Sequence, residues 1–227
     1  MSKLAVVLLS GGMDSVVTAC VARKEYGYDL AFLHFKYGQR VERAELERFW
    51  KLVEWFKPRK HLVIDLSMFK LIGGSSLVDL SLDVFSQSES GDGIPLTYVP
   101  FRNGIFLSIA ASWAEVIGAE VIFIGASQVD FAGYPDCRRE FLKAMELAVN
   151  EGTKPEFKVQ IVAPLLDMSK GEIVRKGIEL GAPFHLTWSC YVDSEVACGV
   201  CESCRLRLKG FEDVGVEDPI PYRVSEK

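Results

Sequence analysis

Leu4-Ala5-Val6-Val7-Leu8-Leu9-Ser10-Gly11-Gly12-Met13-Asp14-Ser15 passes within twelve residues from an unbroken apolar run to glycines, hydroxyls and a carboxylate. Such a run, Leu4 to Leu9, predicts a strand buried on both faces, because a half-exposed strand would alternate. From Asp14 to Lys24, apolar residues at Val16, Val17, Cys20 and Val21 mark one helical face, with Gly27 beyond its end. The glycine turn therefore falls between a first strand and a first helix, at the carboxyl edge of a parallel sheet, where ligands bind.

Two glycines let the backbone approach an anion closely, and helix-start amides with serine hydroxyls supply donors; the guest they fit is a phosphate or pyrophosphate. Ser10, Gly11, Gly12, Asp14 and Ser15 are the nucleotide-binding candidates. The turn lacks both the Gly-Lys-Ser/Thr ending of a Walker A loop and the spacing Gly-x-Gly-x-x-Gly. Asp14 would repel a phosphate unless a cation lay between, so Mg²⁺ is expected to bridge them. The competing reading is an ordinary amino cap made by Ser10 or Asp14.

Outward from this turn, strands are expected at Leu30 to Phe35 and His61 to Leu66, with an amphipathic helix from Val41 to Phe56 closed by Pro58. This β-α-β-α-β order implies a parallel sheet with helices on both faces. Further helices are expected at Asn103 to Ile117 and Asp136 to Val149, and strands at Glu120 to Gly125 and Phe157 to Ala163. Ser169 and Glu172 form a capping box that opens a helix reaching Leu180. Ser86 to Gly93, acidic and small, reads as a mobile loop, either an active-site lid or a surface insertion. Past Pro183 the pattern is short and irregular.

The 227 residues suit one large α/β domain with a small appendage, divided as 1–183 and 184–227. Lys and Arg total 26 against 31 Asp and Glu, a net charge of −5, which argues against a nucleic-acid partner. No apolar run is long enough for a membrane span, and a cytoplasmic setting is expected. Four of the six cysteines, Cys190, Cys198, Cys201 and Cys204, crowd into fifteen residues. They fit a structural, tetrahedral Zn²⁺; an iron-sulfur cluster and unligated or redox thiols are the competing readings. Cys20, on an apolar helical face, reads as core.

The strand, Ser-Gly-Gly-x-Asp-Ser turn and helix resemble the pyrophosphate-binding loop of the N-type ATP pyrophosphatases, which adenylate a carbonyl or carboxyl oxygen. Further blocks narrow the resemblance: Tyr37-Gly38-Gln39-Arg40, Val99-Pro100-Phe101-Arg102-Asn103, Gly133-Tyr134-Pro135-Asp136-Cys137-Arg138, Thr187-Trp188-Ser189-Cys190-Tyr191 and the last three cysteines. Together they resemble the 7-cyano-7-deazaguanine synthases of the queuosine and archaeosine pathways, with one departure: Val41 stands where that family usually has His, with Glu45 one helical turn onward.

The resemblance implies a Rossmann-like, doubly wound α/β fold of the adenine nucleotide alpha-hydrolase type, with a zinc-binding carboxyl-terminal subdomain. It also implies ATP-dependent conversion of 7-carboxy-7-deazaguanine and ammonia to the nitrile through adenylated intermediates, in a homodimer. Asp14, Arg102 and Arg40 are then the catalytic candidates, with Lys170 a third cation for phosphate. Gln39, Tyr134, Asp136 and Asp130 are candidates for the deazaguanine ring, with Phe131 or Trp188 as an aromatic wall, and packing beside the metal knot is the competing reading of Trp188. Cys137 is given no catalytic role. The rival readings are a tRNA sulfurtransferase of the same superfamily and a non-catalytic ATP-binding zinc adaptor.

Overall fold

The computed structural model describes residues 3–85, 94–127 and 134–223. Its centre is β1 (Leu4–Leu8), every residue of which is buried. Around it lie β2 (Asp29–Lys36), β3 (Lys60–Asp65), β4 (Val121–Phe123) and β5 (Gln160–Val162). The five strands are parallel in the order β3-β2-β1-β4-β5. Because β1 pairs with β2 on one side and β4 on the other, chain direction across the sheet reverses at β1. That reversal opens a crevice beyond the carboxyl ends of β1 and β4.

Alternate residues of β1 serve two cores. Val6 packs in one with Leu107, Ala110 and Ala114 of α4 (Arg102–Ile117) and Leu142 of α5 (Arg139–Gly152). Val7 packs in the other with Val16 and Cys20 of α1 (Met13–Lys24) and Phe49 and Leu52 of α2 (Glu42–Phe56). Each is a greasy layer between sheet and helices, which is why the central strands carry no polar face. The capping box predicted before α6 (Lys170–Glu179) is present, Ser169 Oγ accepting from the Glu172 amide and Glu172 Oε2 from the Ser169 amide.

Three expectations need correction. The helix expected from Asp136 is a 3₁₀ turn, Pro135–Cys137, followed by α5 beginning at Arg139. Asp136 breaks the helix start because it is bound to α4: its Oδ2 accepts from the Asn103 amide at 2.9 Å and its carbonyl from Asn103 Nδ2. A short helix, α3 (Phe69–Ile72), was not anticipated. Most consequentially, the stretch after Pro183 contains an eleven-residue helix, α7 (Glu202–Glu212), capped by Cys201. Its buried side is Cys204, Arg207, Gly210 and Phe211, a helical spacing disguised by an arginine and a glycine. The expected loop at 86–93 lies outside the described residues.

Candidate active site

A cavity of about 240 Å³ occupies the crevice at the switch point. Its floor is the glycine turn. Gly11 has φ +95°, and a Cβ there would stand 3.0 Å from the Glu45 carbonyl oxygen, so only glycine lets the turn lie against α2. Gly12 caps α1 with no side chain on the first-turn amides, which leaves them for a ligand. Neither Ser10 nor Asp14 makes the ordinary cap: Ser10 Oγ accepts from the Gly12 amide within the turn, and Ser15 Oγ donates to the Gly12 carbonyl.

Asp14 turns into the cavity. Its Oδ2 receives Lys170 Nζ at 2.6 Å, while its buried Oδ1 has no partner. An orphaned carboxylate oxygen beside a phosphate-type turn fits one ligand position of a Mg²⁺ otherwise held by substrate phosphates. Lys170, at the first position of α6, is almost wholly buried because Gly210 of α7 lies on it; a Cβ at Gly210 would meet Lys170 Cβ at 2.9 Å.

The opposite wall is aromatic and cationic. Arg102 donates from Nη1 to the Tyr37 hydroxyl at 3.1 Å, lies over the Tyr37 and Phe106 rings, and keeps a buried Nε without a partner. Tyr134 lines the cavity, its hydroxyl 2.7 Å from Thr97 Oγ1. Trp188 borders it too, but its indole is buried with the cysteine knot and covered by Arg48, so it gives the cavity no free ring face. Cys137 faces the same space, but burial pushes its thiol up to about 12, so it remains protonated and is a poor nucleophile.

Not every anticipated residue presents its polar groups there. Arg40 borders the cavity, yet its guanidinium donates to the carbonyls of Ser76, Asp79 and Leu82, so it clasps that segment. Gln39 is also engaged, Oε1 accepting from the Tyr37 amide and Nε2 donating to Glu45 Oε2 at 2.6 Å. Asp136 sits behind the first turn of α4, outside the cavity lining, where burial raises its carboxyl. Asp130 and Phe131 lie outside the described residues.

Glu45 is a site residue that the sequence reading did not select. Its carboxyl stands in the cavity wall, where burial pushes it up to about 7 against the opposing influences of Gln39 and Arg102. On a helix that also carries Glu42, Glu47 and Glu54, its one mark in the sequence is its place a helical turn after Val41.

Beside this cavity the sulfurs of Cys190, Cys198, Cys201 and Cys204 lie within 4.8 Å of one another. Three backbone amides, of Val192, Asp193 and Cys198, point at Cys190 Sγ, and the Cys201 amide points at Cys198 Sγ. Sulfurs that accept hydrogen bonds suit thiolates ligating a metal, and the cluster can bind one. The buried Arg207 stitches this knot together, its fork meeting both oxygens of Asp218 at 2.7 and 2.9 Å and Nη1 donating to Thr187.

The family model for queuosine biosynthesis protein QueC matches residues 4–215. The 7-cyano-7-deazaguanine synthase of Nautilia profundicola is 52% identical over 97% of this chain and 99% of its own. That of Oceanobacillus iheyensis is 53% identical over 97% and 98%. The solved structure of the U34-tRNA thiolase NcsA from Methanococcus maripaludis, which carries a 4Fe-4S cluster, covers 94% of this chain and 67% of that one with a TM-score of 0.51. At 15% identity that last likeness speaks to the fold alone. Among the described residues no helix is long and apolar enough to cross a membrane.

Proposed function

The chain belongs to the queuosine biosynthesis protein QueC family, and from that premise we propose how its residues perform the family's ATP-dependent synthesis of 7-cyano-7-deazaguanine. A carboxylate is a poor electrophile, since its leaving group would be oxide. Attack of its oxygen on the α-phosphorus of ATP gives an acyl-adenylate and expels pyrophosphate; ammonia then displaces AMP to leave the amide. Removing the amide oxygen requires a second adenylation, for which the same site serves.

The protein's work is to hold the triphosphate and stabilise the charge that grows on pyrophosphate. The free amides at the start of α1 receive phosphate oxygens, flanked by Ser10 and Ser15. Lys170 is held in the cavity by Asp14, where its ammonium adds positive charge toward the phosphates. Arg102, with its unpartnered Nε, faces the transferring group from the other wall. Magnesium, when bound, would sit between Asp14 and the phosphates and offset part of their charge. Arg40 positions the 76–82 segment. Tyr134 supplies a flat apolar face for the deazaguanine ring.

Zinc is our reading of the metal in the cysteine knot. Cys190, Cys198, Cys201 and Cys204 would hold it with no ligand position left open, so it would supply folding energy and no reaction step.

One observation carries this reading: the start of α1, the Asp14–Lys170 pair and Arg102 open onto the same space as Tyr134. Isotope exchange between pyrophosphate and ATP tests it. Exchange should require 7-carboxy-7-deazaguanine, and adding ammonia should give the nitrile by mass spectrometry. Exchange indifferent to that compound would refute the adenylation, and its complete absence would leave only nucleotide binding.

A further inference from the structure

We propose that Glu45 is the base that strips protons from the nitrogen nucleophile, and that the pocket between Glu45, Gln39 and Arg102 is where that nitrogen sits. The inference deepens the reading above and rests on it. Ammonia exists mostly as ammonium at neutral pH, so a proton must leave before nitrogen can attack. Attack on the acyl-adenylate forms the C–N bond and breaks the C–O bond to AMP, and the nitrogen sheds another proton to become an amide. After the second adenylation, expulsion of AMP with loss of the last N–H protons gives the nitrile. All these protons depart from one nitrogen, so one well-placed acceptor serves every step, returning its proton to solvent between them.

Glu45 has the required placement. Its backbone carbonyl backs the glycine turn at Gly11, which sets α2 beside the reacting phosphates. Its side chain is aimed by a relay: the Tyr37 amide orients Gln39 Oε1, and Gln39 Nε2 must therefore donate to Glu45 Oε2 at 2.6 Å. The groups that face it are Glu42 from its own helix, Arg102 from α4 and the Tyr37 phenol after β2. Against those neighbours its carboxyl titrates at about 7, where it can both take and release protons. No other carboxylate takes this part: among the described residues, Asp14 is engaged by Lys170 at Oδ2 and reserved by its other oxygen for magnesium, and Asp136 lies outside the lining.

The test separates nitrogen chemistry from adenylation. Glu45→Gln should retain carboxylate-dependent pyrophosphate exchange, which also reports that the fold and nucleotide site survive. Its ammonia-dependent amide and nitrile formation should fall roughly 100-fold, the usual scale for a general base. Hydroxylamine, largely unprotonated at neutral pH, skips the first deprotonation, so its trapping of the acyl-adenylate as hydroxamate should fall far less than ammonia turnover does. Raising the pH should partly restore ammonia turnover in the variant, and Glu45→Asp should keep part of the activity. Equal losses in exchange and amide formation, or an undiminished ammonia rate, would overturn the proposal. Should wild-type enzyme show no carboxylate-dependent exchange, the failure would lie with the adenylation reading instead.

Discussion

The Trp188 amide donates to the Gly11 carbonyl at 2.9 Å, so the glycine turn proposed to receive phosphate hangs from a segment ending two residues later in Cys190, a knot sulfur. A second tie runs through α7, whose cap and first turn hold Cys201 and Cys204 and whose Gly210 presses on Lys170. The cysteine knot thereby supports both the floor and one cation of the cavity.

Metal removal should consequently weaken nucleotide binding as well as stability. Chelation, or Cys201→Ser, is expected to lower affinity for a non-hydrolysable ATP analogue about tenfold, the worth of one hydrogen bond near 1.4 kcal/mol. Isothermal titration at a temperature where circular dichroism shows the sheet intact would measure it. Unchanged affinity in a metal-free, folded protein would show that the knot does not support the turn.

The Asp14–Lys170 pair predicts two different defects. Asp14→Asn should abolish magnesium-dependent ATP binding. Lys170→Met should leave the KM for the carboxylate substrate near its wild-type value while kcat for pyrophosphate exchange falls on the order of 100-fold, as when one donor to a developing anion is removed. Identical loss of nucleotide affinity in both variants would make the pair merely structural.

His34 predicts a pH dependence of stability. Its ring stacks on Phe49, and its Nδ1 lies 2.9 Å from the Leu9 carbonyl oxygen, while its buried Nε2 has no partner. Burial lowers its pKa to about 4 from an ordinary 6.5. Between those values the unfolded chain takes up a proton that the folded protein refuses, so stability present above about 6.5 is lost as pH falls toward 4. Between pH 7 and 5 the loss should be about 2 kcal/mol. Glu45 acts in the opposite sense, since its raised carboxyl retains a proton that the unfolded chain releases. Urea unfolding of wild type against His34→Asn isolates the histidine, and parallel stability–pH curves would refute its role.

Much of this was legible in residue order. Leu4 to Leu9 announced a strand with two buried faces, and Ser169 with Glu172 announced the start of α6, because both signals are local. Helix α7 was hidden for the converse reason. Its inward face holds Arg207, whose charge is balanced by Asp218 eleven positions away, and Gly210, which is there to admit Lys170. A pattern search counts both as surface residues. Arg40 and Asp136 show the same limit: their chemistry suited the site, but the carbonyls at 76–82 and the Asn103 amide claimed it.

The order of residues alone settled the parallel α/β class, a glycine turn between its first strand and first helix, and the metal-competent cysteines, since each follows from hydrophobic period or close spacing along the chain. Only tertiary structure decided which polar groups face the cavity. Burial selected Glu45 from several glutamates on one helix, and contacts between distant segments brought Lys170 to Asp14, because a charged side chain's surroundings depend on the whole fold.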